Sequence, residues 1–131
     1  MKHCEILIID DDKDDVELLS EAFSKYGVQH IHHVTSVPEA YKYLEEVHPE
    51  CIPKLIITDL YLPMITGDDF LKQIKSTEKY KDVHVVILSS VRVDSELVRL
   101  KEMGASDFLA KPMSYDEYLE MASEIKSKVG L

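Results

Sequence analysis

An apolar run, Ile6-Leu7-Ile8-Ile9, ends in three consecutive acids, Asp10, Asp11 and Asp12. A second run, Leu55-Ile56-Ile57-Thr58, ends in Asp59. A third, Val83 to Leu88, leads into Ser89-Ser90, and Asp107-Phe108-Leu109-Ala110 leads into Lys111-Pro112. Carboxylates, a hydroxyl and an ammonium brought together can bind a phosphoryl group alongside a hard cation. If Asp10, Asp11 and Asp59 meet, they repel strongly: two unit charges about 4 Å apart cost roughly 4 kcal/mol at an effective dielectric of about 20. Such a cluster persists only when a cation neutralises it or one acid keeps its proton. Oxygen donors with no Cys or His nearby in sequence point to a hard ion, Mg²⁺ before Ca²⁺. A carboxylate at the centre can also serve as a nucleophile and become an aspartyl-phosphate. Taken singly, each residue reads as an ordinary cap, turn former or surface lysine. The chemistry rests on their joint placement at strand ends.

The elements that must bring them there are legible as patterns. The apolar runs are too short for helices and lack polar alternation, which is the signature of strands buried on both faces. His30 to Val34 and Asp107 to Ala110 read as two further strands, the histidine-bearing one at a sheet edge. Helical stripes fill the gaps: Val16, Leu19 and Phe23, ended by Gly27; then Val37, Ala40, Tyr41 and Leu44, ended before His48-Pro49. Phe70, Leu71 and Ile74 follow with Thr66 as N-cap, then Leu97, Leu100 and Met103 up to Gly104. Tyr115, Tyr118, Leu119, Ala122 and Ile125 close the series behind Ser114. Asp14 and Asp15 read as acids suited to the positive end of the first helix. Five strands alternating with five helices predict an α/β fold, a five-stranded parallel sheet joined by right-handed crossovers. In such doubly wound sheets, ligands bind beyond the carboxyl ends of the strands.

Composition narrows the function classes. The 131 residues carry 15 Lys+Arg against 25 Asp+Glu, a formal charge of −10. One domain, residues 1–131, is expected at this length. A pI near 4.9 argues against nucleic-acid binding, which needs a basic face, and favours cations or basic protein partners. An apolar share of 45% is too high for a disordered tail, and its interruptions leave no membrane span. No secretory signal opens the chain, so the cytoplasm is the expected compartment. Cys4 and Cys51 then read as reduced thiols, one in a strand and one in a loop. His30, His32 and His33 read as solvated edge-strand residues, since a structural zinc site wants four ligands.

In order along the chain, Ile6-Leu7-Ile8-Ile9-Asp10-Asp11-Asp12, Thr58-Asp59-Leu60-Tyr61-Leu62-Pro63 with Gly67, Ile87-Leu88-Ser89-Ser90, and Phe108-Leu109-Ala110-Lys111-Pro112 resemble the response-regulator receiver domain. That family is the phospho-accepting half of two-component signalling. The resemblance implies a flavodoxin-like (βα)5 fold with strand order 2-1-3-4-5. It implies that Asp59 accepts a phosphoryl group from a sensor histidine kinase or phosphotransfer protein. Asp10, Asp11, Asp59 and the backbone carbonyl of Tyr61 would hold Mg²⁺. Ser89, Ser90 and Lys111 would bind the phosphoryl oxygens, and Lys111-Pro112 would carry a cis bond. Ser89 and Phe108 would form the switch, Phe108 rotating inward as Ser89 is drawn to the new oxygens. The reshaped face of fourth helix, fifth strand and fifth helix would meet a downstream protein.

Departures from the family pattern are informative. Ser89 stands where Thr is commoner, Phe108 lacks the usual tyrosine hydroxyl, and Thr66 replaces a frequent Asp before Gly67. Tyr61 and Val91, two past Asp59 and Ser89, are bulky where a hydrolytic water must pass. The chain after Lys111-Pro112 is one helix long, so a stand-alone signalling protein rather than a turnover enzyme is expected. The alternatives are an Mg²⁺-dependent phosphohydrolase with an aspartyl nucleophile and a pseudo-receiver that binds partners without phosphorylation. The first commonly needs a second Asp two past its nucleophile, where this chain has Tyr61.

Overall fold

A computed structural model describes residues 5–91 and 93–131. The strands are β1 (Ile6–Ile9), β2 (Ile31–Val34), β3 (Leu55–Asp59), β4 (His84–Ser89) and β5 (Asp107–Ala110). The helices are α1 (Lys13–Lys25), α2 (Val37–Glu46), α3 (Gly67–Ser76), α4 (Asp94–Glu102) and α5 (Tyr115–Val129). All strand pairs are parallel, in the order β2-β1-β3-β4-β5. The chain reverses its direction of winding between β1 and β3, which opens a crevice at their carboxyl ends.

Alternate residues of each central strand face opposite layers. Leu7, Ile9, Ile56, Val85, Ile87 and Phe108 pack beneath α2, α3 and α4. Ile6, Ile8, Leu55, Ile57, Val86 and Leu88 pack against α1 and α5. Both faces are covered, which accounts for the unbroken apolar runs. Among the described residues no helix is long and apolar enough to cross a membrane.

Local chemistry sets the element ends. The Asp12 carboxylate caps α1 by accepting from the N–H groups of Asp14 (3.0 Å) and Asp15 (3.3 Å). Ser114 caps α5 through Glu117 N–H at 3.2 Å. Thr66 occupies the N-cap position of α3, but its hydroxyl bonds Asp69 Oδ2 at 3.1 Å rather than a backbone N–H. A Cβ on Gly67 would lie 2.5 Å from the Asp59 carbonyl oxygen, so only glycine lets α3 start this close to the end of β3.

Two local expectations need correction, and a third falls on an undescribed residue. Cys51 is not in an open loop; it is buried in a 3-10 turn, Pro49–Cys51, as a free thiol. Cys4 lies outside the described residues. No peptide bond among the described residues is cis, so Lys111–Pro112 is trans, the form ordinarily favoured by about 0.5–1 kcal/mol.

Candidate functional site

Parallel pairing brings the chemistry-bearing residues to one end of the sheet. Ile9 at the end of β1 is in register with Thr58 of β3, so Asp10 and Asp59 leave adjacent strands together. Asp59 is in register with Leu88 of β4, and Ser89 with Ala110 of β5. The Lys111 N–H donates to the Ser89 carbonyl at 2.8 Å, which places the lysine immediately beyond β5. Parallel strands bring together residues that are far apart in sequence.

Each of Asp10, Asp11 and Asp59 offers a carboxylate oxygen within 4.8 Å of the others. Three hard oxygen donors so close fit a hard divalent cation. Asp10 is the deepest, its side chain 6% exposed. Burial raises its carboxyl pKa, and the Asp59 charge adds to that; the Asp12 N–H and Lys111 pull it back only in part. Asp11 is exposed and Asp59 half-buried. The Tyr61 N–H donates to Asp59 Oδ1 at 3.2 Å, holding one oxygen of that carboxylate in the β3–α3 loop.

Lys111 is the counter-charge. Its side chain is 14% exposed, and Nζ donates to Asp10 Oδ2 at 3.1 Å, Asp15 Oδ2 at 3.0 Å and Asp59 Oδ2 at 3.2 Å. Burial alone would lower its pKa; the hydrogen bond to Asp15 and the charges of Asp10 and Asp59 outweigh that and raise it. The ammonium therefore stays charged across the physiological range.

Ser89 is fully buried, and its Oγ accepts from the Val91 N–H at 3.2 Å. Ser90 is exposed beside it. Phe108 is also fully buried, in the layer beneath α2 to α4. The inward position expected of it after phosphorylation is thus already filled. Tyr61 and Val91 are 68% and 67% exposed on the two loops beside the carboxylates.

Two residues of this end were not anticipated. Asp15 reads from sequence as a helix-dipole acid, yet it is a direct partner of Lys111. Its signal was its spacing: Asp15, Leu19 and Ala22 share one helical face, and both neighbours are buried. An acid on an apolar stripe asks for a cation. His33, expected to be solvated, is half-buried with its Nε2 2.8 Å from the Asp10 carbonyl oxygen.

Residues 6–123 match the family described as response regulator receiver domain. The chain is 34% identical over 125 residues to the two-component response regulator ORR6 of Oryza sativa subsp. japonica, covering 92% of this chain and 70% of that protein. It is 29% identical to the probable methanogenesis regulatory protein FilR2 of Methanothrix harundinacea, covering 92% of this chain and 80% of the relative. Among solved structures, the phosphorylated cyanobacterial phytochrome response regulator RcpA superposes with a TM-score of 0.81 at 26% identity, over 95% of this chain and 92% of that one.

Proposed function

Because the chain belongs to the response regulator receiver domain family, we propose that Asp59 is its phospho-acceptor and that the domain signals by protein contact. The donor is a phosphohistidine on a sensor histidine kinase or a phosphotransfer protein. An Asp59 oxygen attacks phosphorus, the P–N bond breaks, and its electron pair leaves with the imidazole. The observation that carries this reading is the 3.2 Å contact between Lys111 Nζ and Asp59 Oδ2 at a carboxylate cluster spanning 4.8 Å. Asp10, Asp11, Asp59 and the Tyr61 carbonyl are the residues that would hold Mg²⁺, which when bound supplies positive charge against donor and acceptor. Lys111 neutralises one phosphoryl oxygen, and Ser89 and Ser90 donate hydroxyls to the others.

Phosphorylation adds acceptors that Ser89 and Lys111 reach only in that state, and so shifts the population of packings. Phe108 starts from a buried position, so its part in the switch is a repacking within the core. The affected face is α4-β5-α5, where Val93 and Val98 expose apolar surface to a downstream protein partner. A chain with a net charge of −10 is suited to act in the cytoplasm on protein partners rather than on nucleic acid or a membrane. It is a signalling module, not an enzyme.

Incubation with acetyl phosphate and Mg²⁺, read by intact mass, tests the reading. One added phosphoryl group is expected in Mg²⁺, and none when EDTA is present from the start. Sustained phosphate release from simple esters would instead indicate a phosphohydrolase, and no modification under any donor a pseudo-receiver.

The loop residues make a second prediction. Tyr61 stands exposed two positions beyond the acceptor, where its ring obstructs an in-line water. Tyr61→Asn replaces the ring with a side chain that can orient water, and is expected to speed Mg²⁺-dependent dephosphorylation about tenfold, ~1.4 kcal/mol in barrier. Loss of the phosphoryl mass over time measures it; an unchanged lifetime would remove Tyr61 from the water path.

A further inference from the structure

We propose that Asp15 is a positioning residue for Lys111, with Tyr118 anchoring Asp15 so that the ammonium stays aimed at Asp59 and α5 is tied to the site. This rests on the phospho-acceptor reading of Asp59. An ammonium has three protons to donate, and Lys111 spends them on Asp10, Asp15 and Asp59. Asp10 and Asp59 belong to the cluster that would take a cation, and Asp59 Oδ2 or its twin becomes the bridging oxygen of an acyl phosphate on phosphorylation. Asp15 is the one of the three outside that cluster. Its bond to Lys111 is therefore the contact that persists through transfer and fixes where the remaining N–H groups point.

Both oxygens of Asp15 are engaged. Oδ2 accepts from Lys111 at 3.0 Å, and Oδ1 from the Tyr118 hydroxyl at 3.3 Å. Tyr118 is buried between α1 and α5, and burial, with the Asp15 charge next, pushes its phenol up to about 12. It therefore stays a hydrogen-bond donor at neutral pH. The side chain of Asp15 is 29% exposed, so without these two partners it would have freedom to turn into solvent. The link also joins α5, part of the proposed output face, to the lysine that meets the phosphoryl group.

Charge and positioning predict opposite signs. Removing a carboxylate beside an anionic donor should accelerate modification if charge alone matters. Loss of aim should slow it, since misplacement of a catalytic group by about 1 Å can cost a hundredfold. The experiment uses the full chain with Mg²⁺ and acetyl phosphate, and intact mass gives the second-order rate constant for modification. Asp15→Ala is expected to slow the reaction about tenfold, and Tyr118→Phe, which changes no charge, about threefold. In the Asp15→Ala background, Tyr118→Phe should have no further effect. Where Asp15→Ala does not fold, the Lys111 ammonium signal in ¹⁵N NMR carries the test, and Tyr118→Phe should shift it. Unchanged or faster rates in both variants overturn the proposal, as does an undiminished Tyr118→Phe effect without Asp15 or an unmoved Lys111 signal. A wild type that gains no phosphoryl group overturns the receiver reading and this proposal together. A modified wild type with unaffected variants overturns only this one.

Discussion

Asp59→Asn is expected to gain no phosphoryl group from acetyl phosphate in Mg²⁺, under conditions that convert most of the wild type, while folding at least as well. The amide is nearly isosteric and still offers an oxygen to the Tyr61 N–H or the Lys111 ammonium, contacts of 3.2 Å each in the wild type. It lacks the anionic oxygen needed to attack phosphorus. The neighbouring carboxylates are poor substitutes: Asp10 is buried, carries a raised pKa and is salt-bridged to Lys111. Removing one member of a crowded anionic cluster also relieves repulsion, so a gain of about 1 kcal/mol in metal-free stability is expected. Intact mass and a urea titration measure the two effects. Phosphoryl uptake by the variant at the wild-type rate would assign the chemistry elsewhere.

Lys111→Met is expected to have the second-largest effect, and on two quantities at once. Methionine keeps most of the apolar stem but removes the cation that Asp10, Asp15 and Asp59 share. Uptake of the phosphoryl group should slow about a hundredfold, the scale seen when one donor to a developing charge is lost. Metal-free stability at neutral pH should fall by about 2 kcal/mol, because a half-buried carboxylate cluster is left uncompensated. Mg²⁺ should restore part of that loss by supplying charge to the same oxygens. The pH dependence has a defined sign. The Asp10 carboxyl is raised from 3.8 in the folded protein, so the folded state binds its proton more tightly than the unfolded chain. The destabilisation is therefore full above the folded pKa and shrinks as pH falls through it toward 3.8. Intact mass over time measures the uptake, and denaturation in EDTA and in Mg²⁺, at neutral and mildly acidic pH, measures the other three effects.

The central strands were legible because burial on both faces leaves a run of branched apolar residues and nothing else. Ile6–Ile9 and Leu55–Asp59 fall within a residue of the apolar runs that announced them. β4 begins at His84 rather than Val83 because the Val83 N–H closes a turn onto the Tyr80 carbonyl at 3.0 Å. The candidate carboxylates and Lys111 were legible as strand-end residues, whose meeting the parallel sheet makes unavoidable. Asp15 was not, because its contacts depend on how α1 packs against α5 and on where Lys111 leaves the end of β5. Its two partners lie 96 and 103 residues away in sequence. His33 escaped for a similar reason: its contact with the Asp10 carbonyl depends on how its ring turns at the edge of the sheet. Thr66 and Cys51 show a smaller limit. A cap-forming residue at a cap position does not settle which acceptor its hydroxyl meets, and a cysteine two residues after a proline gives no sign of the 3-10 turn that buries it.

In the proposed reaction Asp59 receives the phosphoryl group in a metal-dependent step. Borohydride reduction of the phosphorylated chain converts an acyl phosphate to an alcohol, turning the modified aspartate into homoserine that peptide mapping can locate. After incubation with acetyl phosphate, homoserine is expected at position 59 in Mg²⁺ and none in EDTA. Homoserine at another aspartate, or at position 59 to the same extent without the metal, would contradict it.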